Sequence, residues 1–268
     1  MNSFANKLSG ILSAFSKTEY EMEKRFNSVI VVAAGKGSRM GEELSTTKQL
    51  AEIEKLPVIV RTIKQFDSCP FVNEIVVVAR KEEIAHYNGF IKRYDLKKIR
   101  AVVAGGETRQ DSVLNGFKAV SKKCEYVAIH DGARCLVSPE MIKKVFSAAY
   151  RYGAATAAKH ASDTIKRADK NGFIAETVDR SVLWHAQTPQ VFKANIYRAA
   201  AYIAKKNGDA VTDDCMLAEN LGFKVKLVDC TNENIKLTTY DDLYVAEAIL
   251  RLRRDRKARE KAENGGKK

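Results

Sequence analysis

The chain has 268 residues, 45% of them hydrophobic and 29% charged, with 46 Lys and Arg against 33 Asp and Glu and a formal net charge of +13. That balance is of a folded globular protein and excludes a disordered or collagen-like chain; no apolar run approaches the ~18 residues of a membrane-spanning helix. The five cysteines are dispersed, odd in number and without a CxxC spacing, which argues against a disulfide framework or zinc module and for a reducing, cytoplasmic setting.

In chain order, residues 1–27 form an N-terminal extension in which Phe4, Leu8, Ile11, Leu12 and Phe15 recur at helical spacing. An amphipathic helix packed on the body or on a partner is expected there, since the stretch lacks the layout of a secretory signal. The body spans 28–250. Strands are predicted at 29–33, 74–79, 99–103, 126–130 and 154–158, with helices near 57–67, 81–93, 109–121 and 139–151. Short β-branched runs alternating with amphipathic stretches mean βαβ units. The predicted fold is therefore α/β: a Rossmann-like, mostly parallel sheet with helices on both faces.

The alternation breaks over 159–190, where a turn signal at 169–172 separates two short β-like runs, predicting a hairpin-like arm that protrudes from the body. Helices follow at 193–206 and 212–221, then a strand at 224–228, a short segment at 234–237 and a last helix from about 241. Residues 251–268 are a basic tail with nine basic and three acidic side chains, so +6 of the net charge lies there, +1 lies in 1–27 and +6 in the body. No aromatic residue interleaves the tail's cations, as a single-strand binder would favour. It reads as a solvated helix end; neither nucleic acid nor membrane is expected as a partner, and its removal is expected to leave activity nearly unchanged.

Ligands of such sheets sit beyond the carboxyl ends of the strands, and the chemistry-bearing segments fall there. Ala33-Ala34-Gly35-Lys36-Gly37-Ser38-Arg39-Met40-Gly41 follows the first strand, Gly105-Gly106-Glu107-Thr108-Arg109-Gln110-Asp111-Ser112 the third, and His130-Asp131-Gly132-Ala133-Arg134 the fourth. A glycine-rich turn after a first strand offers backbone N–H groups to an anion. Met40 stands where a dinucleotide fingerprint needs its third glycine, and the Gly-Lys-Ser/Thr of a P-loop is absent. Arg39 inside the loop and Lys48-Gln49 beyond it suit a nucleoside triphosphate, whose charge of about −4 needs side-chain cations as well as amide dipoles. An NAD(P)-dependent oxidoreductase is disfavoured by the same features, and a nucleic-acid binder has only the bulk charge in its favour. No Ser/His/Asp or Cys/His arrangement is legible. His130 and His185 are expected to be structural, and Asp213-Asp214 to open a helix or to assist a metal.

AAGKGSRMG with TKQL, then GGETRQDSV, HDGAR, SDTIKR, TVDRSVLWHAQTPQVF, VTDD and NIKLT in that order resemble the 2-C-methyl-D-erythritol 4-phosphate cytidylyltransferases of non-mevalonate isoprenoid biosynthesis, over roughly 28–250. The resemblance implies transfer of CMP from CTP to a polyol phosphate with release of pyrophosphate, Mg²⁺ or another divalent cation as cofactor, and a homodimer formed through the β-arm at about 159–190. It implies phosphate-contacting, catalytic roles for Arg39, Lys48 and Lys236. Nucleotide contacts fall to Ala33, Ala34, Gly35, Gly37, Gly106, Glu107, Asp111, Ser112, Asp131 and Arg134, with Asp131 also the metal-side carboxylate. Thr164, Arg180 and Thr188 match the positions that contact the polyol phosphate. A ribitol-5-phosphate or other polyol-phosphate cytidylyltransferase is the nearest alternative. Thr47, Leu50, Cys135 and His160 depart from the usual pattern, all at positions that stiffen the backbone.

Overall fold

The computed structural model describes residues 22, 24–35 and 49–265. The amphipathic stretch at 4–15 lies outside them, as do Gly37, Arg39, Thr47 and Lys48. Strand β1 (Asn27–Val32) is the spine of the sheet and is buried over nearly its whole length. It pairs in parallel with β4 (Glu74–Ala79) on one side and β6 (Tyr126–Asp131) on the other. Beyond β4 lies β5 (Ile99–Ala104), again parallel. Beyond β6 come β10 (Trp184–Lys193), β7 (Ala154–His160) and β11 (Lys226–Asp229), which completes a seven-stranded sheet in the order β11-β7-β10-β6-β1-β4-β5.

Successive β1 side chains point to opposite faces, as the two-residue period requires. Val29 and Val31 join one core, with α1 (Val58–Asp67), α2 (Ile84–Arg93) and α4 (Pro139–Tyr152). Ile30 joins the other, with α3 (Arg109–Ala119), α5 (Ala194–Asn207) and α6 (Asp214–Asn220). Helices therefore cover both faces, as the continuous apolar strands led one to expect. A third, smaller cluster unites the hairpin of β2 (Glu52–Ile53) and β3 (Leu56–Pro57), the loop after β6, and the first turns of helix α7 (Asp241–Gly265). The hairpin turn places Glu54 and Lys55 at φ 51° and 61°, the two consecutive left-handed residues of a two-residue turn.

The sequence does not announce β10. It runs antiparallel to both β6 and β7, and its middle, Gln187-Thr188-Pro189-Gln190, is polar yet buried. Pairing with β7 breaks its register between Ala186 and Gln190, and Pro189, which has no N–H to give a ladder, sits within that irregularity. Before β10 the chain makes the expected hairpin arm: β8 (Lys166–Ala168) pairs antiparallel with β9 (Ile174–Thr177), and every residue of both strands is exposed. Phe173 and Val182, each 71% exposed, stand out on the arm.

Helix α7 continues without a break through residue 250 to Gly265. Three of its basic side chains are paired: Arg253 and Arg256 with Glu233, and Arg254 with Glu54. All five cysteines are free and buried; Cys135 lies in the third cluster, where burial pushes its thiol up to about 11. Among the described residues no helix is long and apolar enough to cross a membrane.

Phe192 on β10 is fully buried against Tyr197. Phe192→Ala should cost about 3–4 kcal/mol in urea unfolding with the denaturant slope unchanged, and a loss under 1 kcal/mol would mean that β10 is not a core strand.

Candidate active site

Parallel strands end at one edge of the sheet, so the loops after β1, β5 and β6 converge. The backbone fixes their approach: Ala33 N–H donates to Val78 O (2.7 Å), Gly105 N–H to Ala79 O (2.9 Å) and Gly132 N–H to Val32 O (2.8 Å). A Cβ on Gly105 would overlap the Cβ of Ala34, and one on Gly106 would overlap Asp111. Gly105 is thus the condition for the β1 and β5 loops to touch, and Gly106 for the β5 loop to fold back on the start of α3, close approaches that no larger residue meets. Behind them, Thr108 and Asp111 form a capping box at the start of α3, while Ser112 Oγ accepts from Gly106 N–H (3.0 Å) and donates to Thr108 O (2.9 Å). The result is a stiff cradle of small residues whose rim, Gly35, Gly106 and Glu107, is exposed.

At the end of β6, Asp131 is 8% exposed and surrounded by cations. Its Oδ2 lies 2.7 Å from Lys236 Nζ and 3.9 Å from Arg134 Nε, and its Oδ1 lies 3.4 Å from Arg109 Nη2. Burial alone would raise its carboxyl pKa, but the Arg109 guanidinium and the Lys236 ammonium overcome that and hold it well below the usual range. Arg109 is shared: its Nη1 lies 2.7 Å from Oδ2 of Asp214, whose Oδ1 accepts from Tyr197 OH (3.2 Å). Burial pushes the Asp214 carboxyl up while Arg109 opposes it.

Below Asp131 a chain of hydrogen bonds fixes its backbone. His130 is fully buried, which pulls its imidazole down to about 4, so it is neutral at pH 7. Its Nε2 is 3.1 Å from Arg134 O, a group that can only accept, so Nε2 carries the proton and Nδ1 accepts. Thr188 Oγ1, 3.1 Å from Nδ1, therefore donates to it and in turn accepts from Asp131 N–H (3.1 Å). The expectation that His130 is structural agrees with this arrangement.

The structure thus brings together Ala33, Ala34, Gly35, Gly106, Asp111, Ser112, Asp131, Arg134, Thr188 and Lys236 of the predicted residues. Thr164 and Arg180 are exposed on the arm, where Arg180 Nη1 donates to Ser162 O (2.8 Å).

A family model for 2-C-methyl-D-erythritol 4-phosphate cytidylyltransferase matches residues 28–252. The enzyme of that name from Caldanaerobacter subterraneus subsp. tengcongensis is 45% identical over 225 residues, covering 84% of this chain and 98% of that protein. Its counterpart from Alkaliphilus metalliredigens is 43% identical over 229 residues, covering 85% and 94%. The crystal structure of 4-diphosphocytidyl-2C-methyl-D-erythritol synthase from Anaerococcus prevotii superposes with a TM-score of 0.75 at 31% identity, over 85% of this chain and 99% of that one. The chain belongs to the 2-C-methyl-D-erythritol 4-phosphate cytidylyltransferase family. It is accordingly a nucleotidyltransferase, and the fold and enzyme class implied by its motifs are confirmed.

Two members of this charged cluster carry no signal of their own in the sequence. Arg109 stands inside GGETRQDSV, and Asp214 within VTDD, where the sequence suggests only helix opening or metal assistance. Asp213 does cap α6, accepting from Met216 N–H (3.0 Å), but Asp214 turns inward to Arg109. The partners are 105 positions apart, and no local pattern announces such a pairing.

Arg109→Met removes a guanidinium that faces both Asp131 and Asp214. It should lower stability by about 3 kcal/mol in urea unfolding near pH 7, because two buried carboxylates lose a shared partner. Stability within 0.5 kcal/mol of the parent would show that these pairs do not hold the cluster together.

Proposed function

We propose that this chain transfers CMP from CTP to 2-C-methyl-D-erythritol 4-phosphate, giving CDP-methylerythritol and pyrophosphate in cytoplasmic isoprenoid biosynthesis by the non-mevalonate route. Besides the family membership, one observation carries the reading: a strand-end carboxylate ringed by three cations beside a glycine-lined cradle. A site of that kind suits two phosphorylated substrates.

The nucleophile is an oxygen of a phosphate monoester, whose second pKa of ~6 leaves it largely deprotonated at neutral pH. No general base is needed. The bond formed is from that oxygen to the α-phosphorus of CTP; the bond broken joins the α-phosphorus to the bridging oxygen, and its electron pair leaves with pyrophosphate. The barrier is repulsion between anions, so positioning and cations do most of the catalysis. Lys236 stands 35% exposed on Asp131, free to exchange one anionic oxygen for another on a phosphate; Arg39 and Lys48, outside the described residues, are assigned the same role by the family resemblance. Ala33, Ala34, Gly35, Gly37, Gly106, Glu107, Asp111 and Ser112 take the nucleotide, with the small residues and backbone groups among them favouring a pyrimidine by shape. Arg134 braces Asp131.

Asp131 offers hard oxygen donors, and among the described residues no group of three or more His, Cys, Asp or Glu side chains gathers that could hold a metal ion. A Mg²⁺ ion fits such a site if it takes one carboxylate and draws the rest of its shell from phosphate oxygens and water. Bound there, it would neutralise charge on the triphosphate. Thr164 and Arg180 serve the acceptor phosphate from the arm. Thr188, whose hydroxyl proton already goes to His130, contributes by holding the Asp131 backbone. The exposed Phe173, Ile174 and Val182 support a homodimer in which each arm reaches the partner's site.

Pyrophosphate release from CTP and Mg²⁺ should be fast with methylerythritol phosphate and at least ~100-fold slower with ribitol phosphate or glycerol phosphate, the scale of discrimination that pocket shape gives between similar substrates. In the same assay Lys236→Ala should lower kcat by ~10²-fold or more, as loss of a charge-stabilising donor does. Equal rates on all three acceptors, or a Lys236→Ala variant near full speed, would refute the reading.

A further inference from the structure

The family match ends at residue 252, yet the side chains just past that point touch the site's supporting loops. Arg253 Nε lies 2.7 Å from Glu233 Oε2, and its Nη2 donates to Leu136 O at 2.7 Å. One guanidinium thereby joins the loop that carries Asn234 and Lys236 to the loop that carries Asp131 and Arg134. The same two loops are already laced by Leu237 N–H donating to Ala133 O (2.9 Å) and Arg134 Nη1 donating to Asn234 O (2.8 Å). Under them the face of α7 with Ala246, Ile249 and Leu250 packs on Ile53, Leu136 and Leu237.

Magnitudes single out Arg253. Arg254 and Arg256 are about 60% exposed (59% and 61%), and ion pairs that wet contribute little. Arg253 and Glu233 are 25% and 22% exposed, and the planar fork spends its donors on two different loops, a geometry that Lys cannot reproduce.

We propose that Arg253 is a positioning residue: it clamps the Lys236 loop against the Asp131 loop, so that the start of the basic tail serves catalysis while the rest of it does not. The inference rests on the function proposed above for Asp131 and Lys236. It also replaces the expectation that the whole tail is dispensable.

The test compares five forms in pyrophosphate release and in amide hydrogen exchange: the parent, Arg253→Ala, Glu233→Gln, the Arg253→Ala/Glu233→Gln double variant, and a truncation after Lys257. Arg253→Ala should lower kcat roughly 5- to 20-fold, the effect of a small displacement of Lys236, with both KM values within about twofold. Exchange over 231–238 should quicken, and the Arg253→Ala/Glu233→Gln double variant should lose no more than the worse single one. Truncation after Lys257 should change neither readout. Glu233→Gln stands in where Arg253→Ala fails to fold. Parent kcat in the folded variant, multiplied losses in the double variant, or unchanged exchange over 231–238 would overturn the proposal. Should the parent itself release no pyrophosphate, the functional reading fails, and exchange over 231–238 alone decides the role of Arg253.

Discussion

A carboxylate taken out of water needs its charge answered, and at Asp131 three cations answer it. Lys236 comes from a loop more than a hundred residues later, Arg109 from the start of α3, and Arg134 from the turn after β6. The anion gathers them at the mouth of the sheet, and under the function proposed above the same cations can turn from the carboxylate to a phosphate. Asp131 is held ionised in the folded state below its unfolded pKa of about 4. Its pairing therefore contributes stability that is complete above that value and is lost as pH falls through the folded-state pKa. Asp214 has the opposite sign. Its carboxyl is raised by burial, so ionising it costs stability as pH climbs past the unfolded value, and Arg109 offsets part of that cost.

The fold supplies the place for this cluster. Parallel strands put β1, β5 and β6 in register, so three loops leave the sheet at one edge. Gly105 lets two of them touch. The antiparallel β10 then slides its polar middle beneath the site: Thr188 and His130 fix the backbone of Asp131, Gln187 and Thr188 hold Asn234, and Gln190 reaches both Asp213 and Asp214. A polar stretch that would weaken an ordinary core strand is here tied by hydrogen bonds on both sides of the sheet's mouth, which offsets the cost of burying it.

Much of this was legible in the sequence because βαβ units write themselves locally. The five main strands and four helices from 27 to 160 follow from apolar runs and amphipathic periodicity, while the short β2–β3 hairpin does not. The loops that bear chemistry were legible for the same reason, since they follow strands. What escaped was non-local. β10 hides because Gln187 to Gln190 breaks both the alternating and the continuous apolar pattern. The Arg109 to Asp214 pair hides because an arginine and an aspartate in separate motifs look alike whether they face solvent, substrate or each other. The tail was read from its bulk charge as solvated. Composition counts cations but does not say that Arg253 points at Glu233 while others point at water.

The central claim is that Asp131 remains an anion because three cations surround it, and the most direct measurement is its side-chain carboxyl ¹³C shift followed against pH in the folded protein. The account predicts that the resonance stays at its ionised position through the range near 4 where ordinary carboxyls titrate, down to the onset of acid unfolding. A clean titration close to that ordinary value, with the fold intact, would contradict it.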